Sequence, residues 1–130
     1  MLEPLRYLLL QVRNADDPML KQEVACFAEI LESDISQIEV FDLLGGPLQE
    51  HDLIETDVVL IGGSGDYSAA GEGDWLEVAL DSLRLVHDSR KPTFASCWGF
   101  QAVARALGGR VVHDLEKAEL GVHHVRLTAA

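Results

Sequence analysis

Two short segments of the chain carry residue types that could do chemistry. Cys97 lies in the run Phe94-Ala95-Ser96-Cys97-Trp98-Gly99-Phe100-Gln101, with small residues at 95, 96 and 99. A strand that passes straight into a helix through a tight turn lifts the turn residue clear of the sheet, and only small neighbours leave room for it. A helix starting at 98 would point its positive end at the thiol, lower its pKa and leave backbone N–H groups free to hold an oxyanion. Acyl transfer through a thioester is the chemistry open to such a cysteine. A cysteine at this kind of junction is also a common structural residue, and the small flanking residues tip the balance toward function. The second segment is Ile61-Gly62-Gly63-Ser64-Gly65. It lacks the Lys-Ser/Thr ending of a phosphate-binding loop and the spacing of a dinucleotide fingerprint, so no nucleotide cofactor is expected. Asp66 and Tyr67 follow it, either lining a pocket or facing solvent.

The elements that must position these segments can be read from periodicity. Leu5 to Val12 is a nearly continuous apolar run, as in a strand covered on both faces. Turn residues at 14–18 precede a helix carrying Leu20, Val24, Phe27, Ala28 and Leu31 at helical spacing through Glu32. Ile35 to Leu44 alternates and closes at Gly45-Gly46-Pro47, which suits an edge strand. Asp57 to Ile61 is the clearest central strand and ends in the Gly62-Gly63 turn. Asp74 to Arg90 places Trp75, Val78, Leu80, Leu83 and Val86 on one side of a helix that Pro92 ends. A short strand at 92–96 then leads into a helix from Trp98 to Leu107, stopped by Gly108-Gly109. Arg110 to His113 and Val122 to Leu127 read as two further short strands. Strands alternating with helices give a doubly wound, flavodoxin-like α/β fold with a mostly parallel sheet and helices on both faces. In such sheets functional groups gather at the carboxyl ends of the strands, where the Gly62-Gly63 and Cys97 segments both fall.

Composition narrows the partners. With 130 residues the chain has the size of a single domain. A formal charge of −12 repels phosphate backbones and anionic surfaces, so neither nucleic acid nor membrane is an expected partner. No signal-like or membrane-spanning run is present, and a cytoplasmic protein is expected. Cys26 and Cys97, the two cysteines, read as reduced thiols, with Cys26 on the apolar face of the first helix beside Phe27. A zinc site built from Cys26, His113, His123 and His124 is disfavoured. Neighbouring histidines on a strand point to opposite faces, no Cys-x-x-Cys occurs, and no metal is expected.

The run Ser96-Cys97-Trp98-Gly99-Phe100-Gln101, followed by Leu107-Gly108-Gly109, resembles the nucleophile elbow of class I glutamine amidotransferases, as in the glutaminase domain of GMP synthase. Ile61-Gly62-Gly63-Ser64, Leu10-Gln11-Val12-Arg13 and Glu119-Leu120-Gly121 extend the resemblance over nearly the whole chain, with Ala95 where the family usually has Gly. The resemblance implies that Cys97 attacks the side-chain amide of L-glutamine, forming a γ-glutamyl thioester and releasing ammonia. It implies that Gly63 and Trp98 supply the oxyanion-hole N–H groups, and that Gly62 and Gln101 contact the substrate. In the family a synthetase partner receives the ammonia, and the base is a histidine followed two residues later by glutamate. His113, His123 and His124 are instead followed by Leu115, Val125 and Arg126, and His51 and His87 lie upstream of Cys97. The expectation is therefore a truncated domain of this family with impaired turnover. Its exposed sheet edge would favour self-association. The alternatives are a γ-glutamyl peptide hydrolase and a non-catalytic glutamine-binding or regulatory module.

Overall fold

A computed structural model describes residues 3–129. Its first strand, β1 (Tyr7–Val12), is buried at every position, as a continuous apolar run requires. The chain continues through α1 (Met19–Ile30), β2 (Ile38–Asp42), α2 (Glu50–Leu53), β3 (Val58–Ser64), α3 (Asp74–Ser89), β4 (Thr93–Ala95) and α4 (Trp98–Ala106), with single 3-10 turns at Ile35–Gln37, Leu43–Gly45 and Leu115–Lys117. The strands pair in the order β2-β1-β3-β4, every pair parallel. β1 and β3 are interior, and β2 is an edge strand as its sequence predicts.

Side chains alternate across the sheet into two cores. Leu8, Leu10, Val12, Val59 and Ile61 face α3 and α4, meeting Leu76, Leu80, Leu83, Val86, Trp98 and Ala102. Tyr7, Leu9, Ile38 and Leu60 face the other way, onto Ala28 and the half-buried Val24, Phe27 and Leu31 around α1. Each fully buried aliphatic side chain contributes about 1.5–3 kcal/mol relative to exposure. The result is a flavodoxin-like α/β layer with helices on both faces.

Three expectations need correction. Residues 110–113 and 122–127 form no strands; apart from one 3-10 turn, residues 110–129 run without regular structure and almost wholly exposed. The alternating valines and leucines there have no apolar surface to lie on, and Val122 and Leu127 stay exposed. Cys26 is exposed rather than packed on the core face of α1. At the end of α3 the stop comes from Arg90, which adopts a left-handed φ of 60° ahead of Pro92.

Candidate active site

Cys97 is the second of the two residues, Ser96 and Cys97, that join β4 to α4, and has φ 53° and ψ −119°. A residue with a side chain avoids this region because its Cβ crowds the backbone, so the turn stores strain of order 1–3 kcal/mol. The strain is set by packing on both sides. β4 is held in register with β3 by the Leu60–Phe94 and Ile61–Ala95 pairs, and the Ser96 N–H donates to the Ile61 carbonyl at 3.0 Å. α4 lies so close to β3 that a Cβ on Gly99 would come within 2.6 Å of both the Ile61 carbonyl oxygen and its Cγ2. With helix and strand both anchored to Ile61, the residue between them must bend sharply. Ala95 is not among the residues with positive φ and is accommodated at the end of β4.

Strain lifts the thiol to the surface, where Cys97 is exposed at the start of α4. In the first turn of that helix the Gly99 N–H donates to the Ser96 carbonyl and the Gln101 N–H to the Cys97 carbonyl. The Trp98 N–H finds no acceptor among the described residues and stays free, as expected for the first amide of a helix. The Trp98 indole is buried and stacks on Trp75 with centroids 6.2 Å apart, and Trp75 meets Tyr67 edge-on at 4.9 Å. The Trp98 Nε1–H has no acceptor among the described residues. Tyr67 is thus half-buried behind the site, while Asp66 is exposed.

The Gly62-Gly63 segment arrives beside this turn from β3. A Cβ on Gly63 would stand 3.7 Å from both Cβ and Sγ of Cys97, so the two segments lie side by side with the glycine face turned to the thiol. A Cβ on Gly62 would fall 2.6 Å from Glu23 Oε2 on the opposite side, a position only glycine can occupy without moving the carboxylate. The pairing of β1 with β3 slips here: Leu10 pairs with Ile61 but Val12 with Ser64, leaving the glycines in a bulge. Gln101 lies one turn beyond Cys97 with its side chain exposed. Cys97, Gly63 and Trp98 are therefore neighbours, with Gly62 turned to the far side of the strand.

Sequence reasoning missed the groups behind the glycines. Glu23, on α1, is buried, and its Oε2 accepts from Gly63 N–H at 3.2 Å and from Arg13 Nη2 at 2.9 Å and Nε at 3.3 Å. Its Oε1 accepts from Gln11 Nε2 at 3.3 Å. Arg13 also pairs with Asp17 at 3.2 Å. The hydrogen bond to Glu23, and secondarily its negative charge, push the Arg13 guanidinium above its ordinary pKa against the effect of burial. A signal was present: Glu23 falls at helical spacing between Leu20 and Phe27, a charge inside an apolar stripe.

The histidines lie elsewhere. All five are exposed; His51 pairs with Asp52, and the His123 ring approaches the Leu120 carbonyl at 3.1 Å. Among the described residues no three histidine, cysteine or acidic side chains gather as a metal site, and no helix is long and apolar enough to cross a membrane.

Comparison with known proteins agrees with this architecture. A sequence profile for Peptidase C26 matches residues 64–129, which include Cys97 and all of α3, β4 and α4. Gamma-glutamyl peptidase 4 of Arabidopsis thaliana is 28% identical over 102 residues, spanning 78% of this chain and 40% of that protein. Gamma-glutamyl peptidase 3 of the same plant is 26% identical over 92 residues, 70% of this chain and 36% of its own length. The chain thus spans about two fifths of the length of the curated relatives it matches. Since the profile covers just over half of the sequence and the sheet order suits the fold, the chain belongs to the Peptidase C26 family and is a glutamine amidotransferase-like domain.

Proposed function

We propose that Cys97 is an acyl-accepting nucleophile for γ-glutamyl compounds. Its sulfur attacks the γ-carbonyl carbon; the C–N bond breaks, the amine leaves with a proton, and a γ-glutamyl thioester remains. The observation that carries this reading is the strained Cys97 backbone at the start of α4, which presents an exposed thiol beside Gly63 and the free Trp98 N–H. The Trp98 amide is the first oxyanion donor, and Gly63 is the candidate for the second. Gln101 is the candidate substrate contact; Gly62, buried and turned toward Glu23, is not placed to touch a substrate at Cys97. The likeness to the Arabidopsis gamma-glutamyl peptidases favours γ-glutamyl peptides over free glutamine, whose amide would release ammonia toward a synthetase partner.

No base stands beside Cys97 among the described residues. No histidine after Cys97 has an acidic residue two positions later, and none is hydrogen-bonded to its thiol among the described residues. Acylation is therefore expected to outrun turnover, and ammonia release from glutamine should stay at background for the isolated chain. That same observation favours a second reading, a γ-glutamyl-binding module without turnover. A cytoplasmic setting and self-association through the outer edge of β4 complete the proposal.

A chloroketone analogue of glutamine, followed by mass spectrometry of the labelled peptide, tests the assignment. Modification of the Cys97 peptide is expected, and labelling at Cys26 alone would overturn it. Glutaminase activity lost in Cys97→Ala would show that a base is present after all.

A further inference from the structure

The Gly63 amide next to Cys97 is already bonded. Its hydrogen points at Glu23 Oε2, 3.2 Å away, and a single N–H cannot serve a buried carboxylate and an oxyanion above Cys97 at full strength. Glu23 is fixed in turn: Arg13 donates to the same oxygen twice and Gln11 donates to the other, while Asp17 holds Arg13 from behind. Gln11 also donates to the Leu20 carbonyl, tying the end of β1 to the start of α1. The bulge between Leu10 and Val12 leaves the Gly62–Gly63 peptide outside the regular ladder, and glycine on both sides gives it freedom to turn.

We propose that Glu23 is a positioning residue for acyl transfer, its carboxylate, braced by Arg13, setting the direction of the Gly63 amide and competing with the oxyanion for it. The inference rests on the reading of Cys97 as an acylating thiol. Glu23 touches neither thiol nor substrate; it acts through the amide it holds. Release of that amide gives the site its second donor beside Trp98.

Two measurements test this. In the wild-type chain, NMR should show a trans-hydrogen-bond coupling between the Gly63 amide nitrogen and the Glu23 carboxyl carbon, with slow amide exchange. A Gly63 amide that exchanges freely and shows no coupling overturns the proposal without any variant. The second measurement is the ratio of two alkylation rates at Cys97. Glutamine chloroketone reacts through an oxyanion, whereas iodoacetamide displaces iodide without one. Glu23→Gln keeps the shape but replaces a charged acceptor with a neutral one, a hydrogen bond about half as strong. The chloroketone-to-iodoacetamide ratio should rise roughly fivefold in Glu23→Gln and stay unchanged in Glu29→Gln, an exposed position on the same helix. A merely structural role for Glu23 would change both rates together. An unchanged or lower ratio overturns the inference alone. If neither the wild type nor Glu23→Gln forms a chloroketone adduct while iodoacetamide still reacts, the acyl-transfer reading falls and takes the inference with it.

Discussion

At the scale of the residue, Cys97 combines two costs that a purely structural cysteine would not carry: a left-handed φ of 53° and an exposed thiol. Glycine occupies that backbone region without strain, so Cys97→Gly should be more stable than Cys97→Ala by about 1 kcal/mol in urea denaturation, while both lose chloroketone labelling. Equal stability of the two would mean that the turn is not strained. Trp98 offers a related test. Its indole N–H is buried without an acceptor among the described residues, so Trp98→Phe removes an unsatisfied donor along with some apolar area. A loss below about 1.5 kcal/mol is expected, much less than the 3–5 kcal/mol typical of cutting a buried Trp to Ala. Cys26, exposed on α1, should tolerate Ala with a stability change of about 0.5 kcal/mol or less.

At the scale of the element, the site depends on how closely α4 sits on β3. Gly99 is the contact that permits it: an added Cβ would meet Ile61 backbone and side chain at 2.6 Å. Gly99→Ala should therefore cost roughly 1–3 kcal/mol and slow alkylation of Cys97, since the helix must retreat from the strand that orients the thiol. Stability restored to wild-type level with labelling intact would contradict that packing. The turn before β2 gives a pH-dependent prediction. Asp34 is held below its ordinary pKa of 3.8 by the Ser36 N–H and then by the Ser36 hydroxyl, while the Asp34 N–H donates to Gln37. A carboxyl lowered on folding adds stability that is full above its unfolded pKa and is lost as pH falls through the lower folded value. The difference in stability between wild type and Asp34→Asn should shrink below about pH 3.8 and be level above pH 5.

At the scale of the whole molecule, charge and an open edge dominate. A formal charge of −12 on 130 residues makes the compact state repel itself, so raising salt from low to physiological ionic strength should raise Tm. The outer edge of β4 carries Phe94, about half exposed, and packed edge-on against Phe27 with centroids 6.3 Å apart. Met19, Cys26 and Ile30 border the same groove of about 340 Å³. A short edge strand beside apolar surface invites pairing with a second copy. Light scattering should show concentration-dependent association that Phe94→Lys weakens, and a monodisperse wild-type monomer would contradict it.

The sequence by itself determined most of the elements and the place of Cys97 between a strand and a helix. A short continuous apolar run suits a doubly covered strand, helical spacing names the buried stripe of α3, and small residues around Cys97 announce a tight turn between strand and helix. Those are local properties, fixed by periods of two and 3.6 residues and by the space a turn allows. Tertiary structure decided what no local pattern contains. Residues 110–113 and 122–127 alternate like strands yet pair with nothing, because a strand exists only where a neighbour offers hydrogen bonds and an apolar face. Glu23 interrupts an apolar stripe, and only the convergence of β1, α1 and β3 shows that Arg13, Gln11 and the Gly63 amide satisfy it. The direction of that amide follows from a bulge, a long-range feature of strand register, which is why the glycine segment was legible in the sequence and the partner of its amide was not.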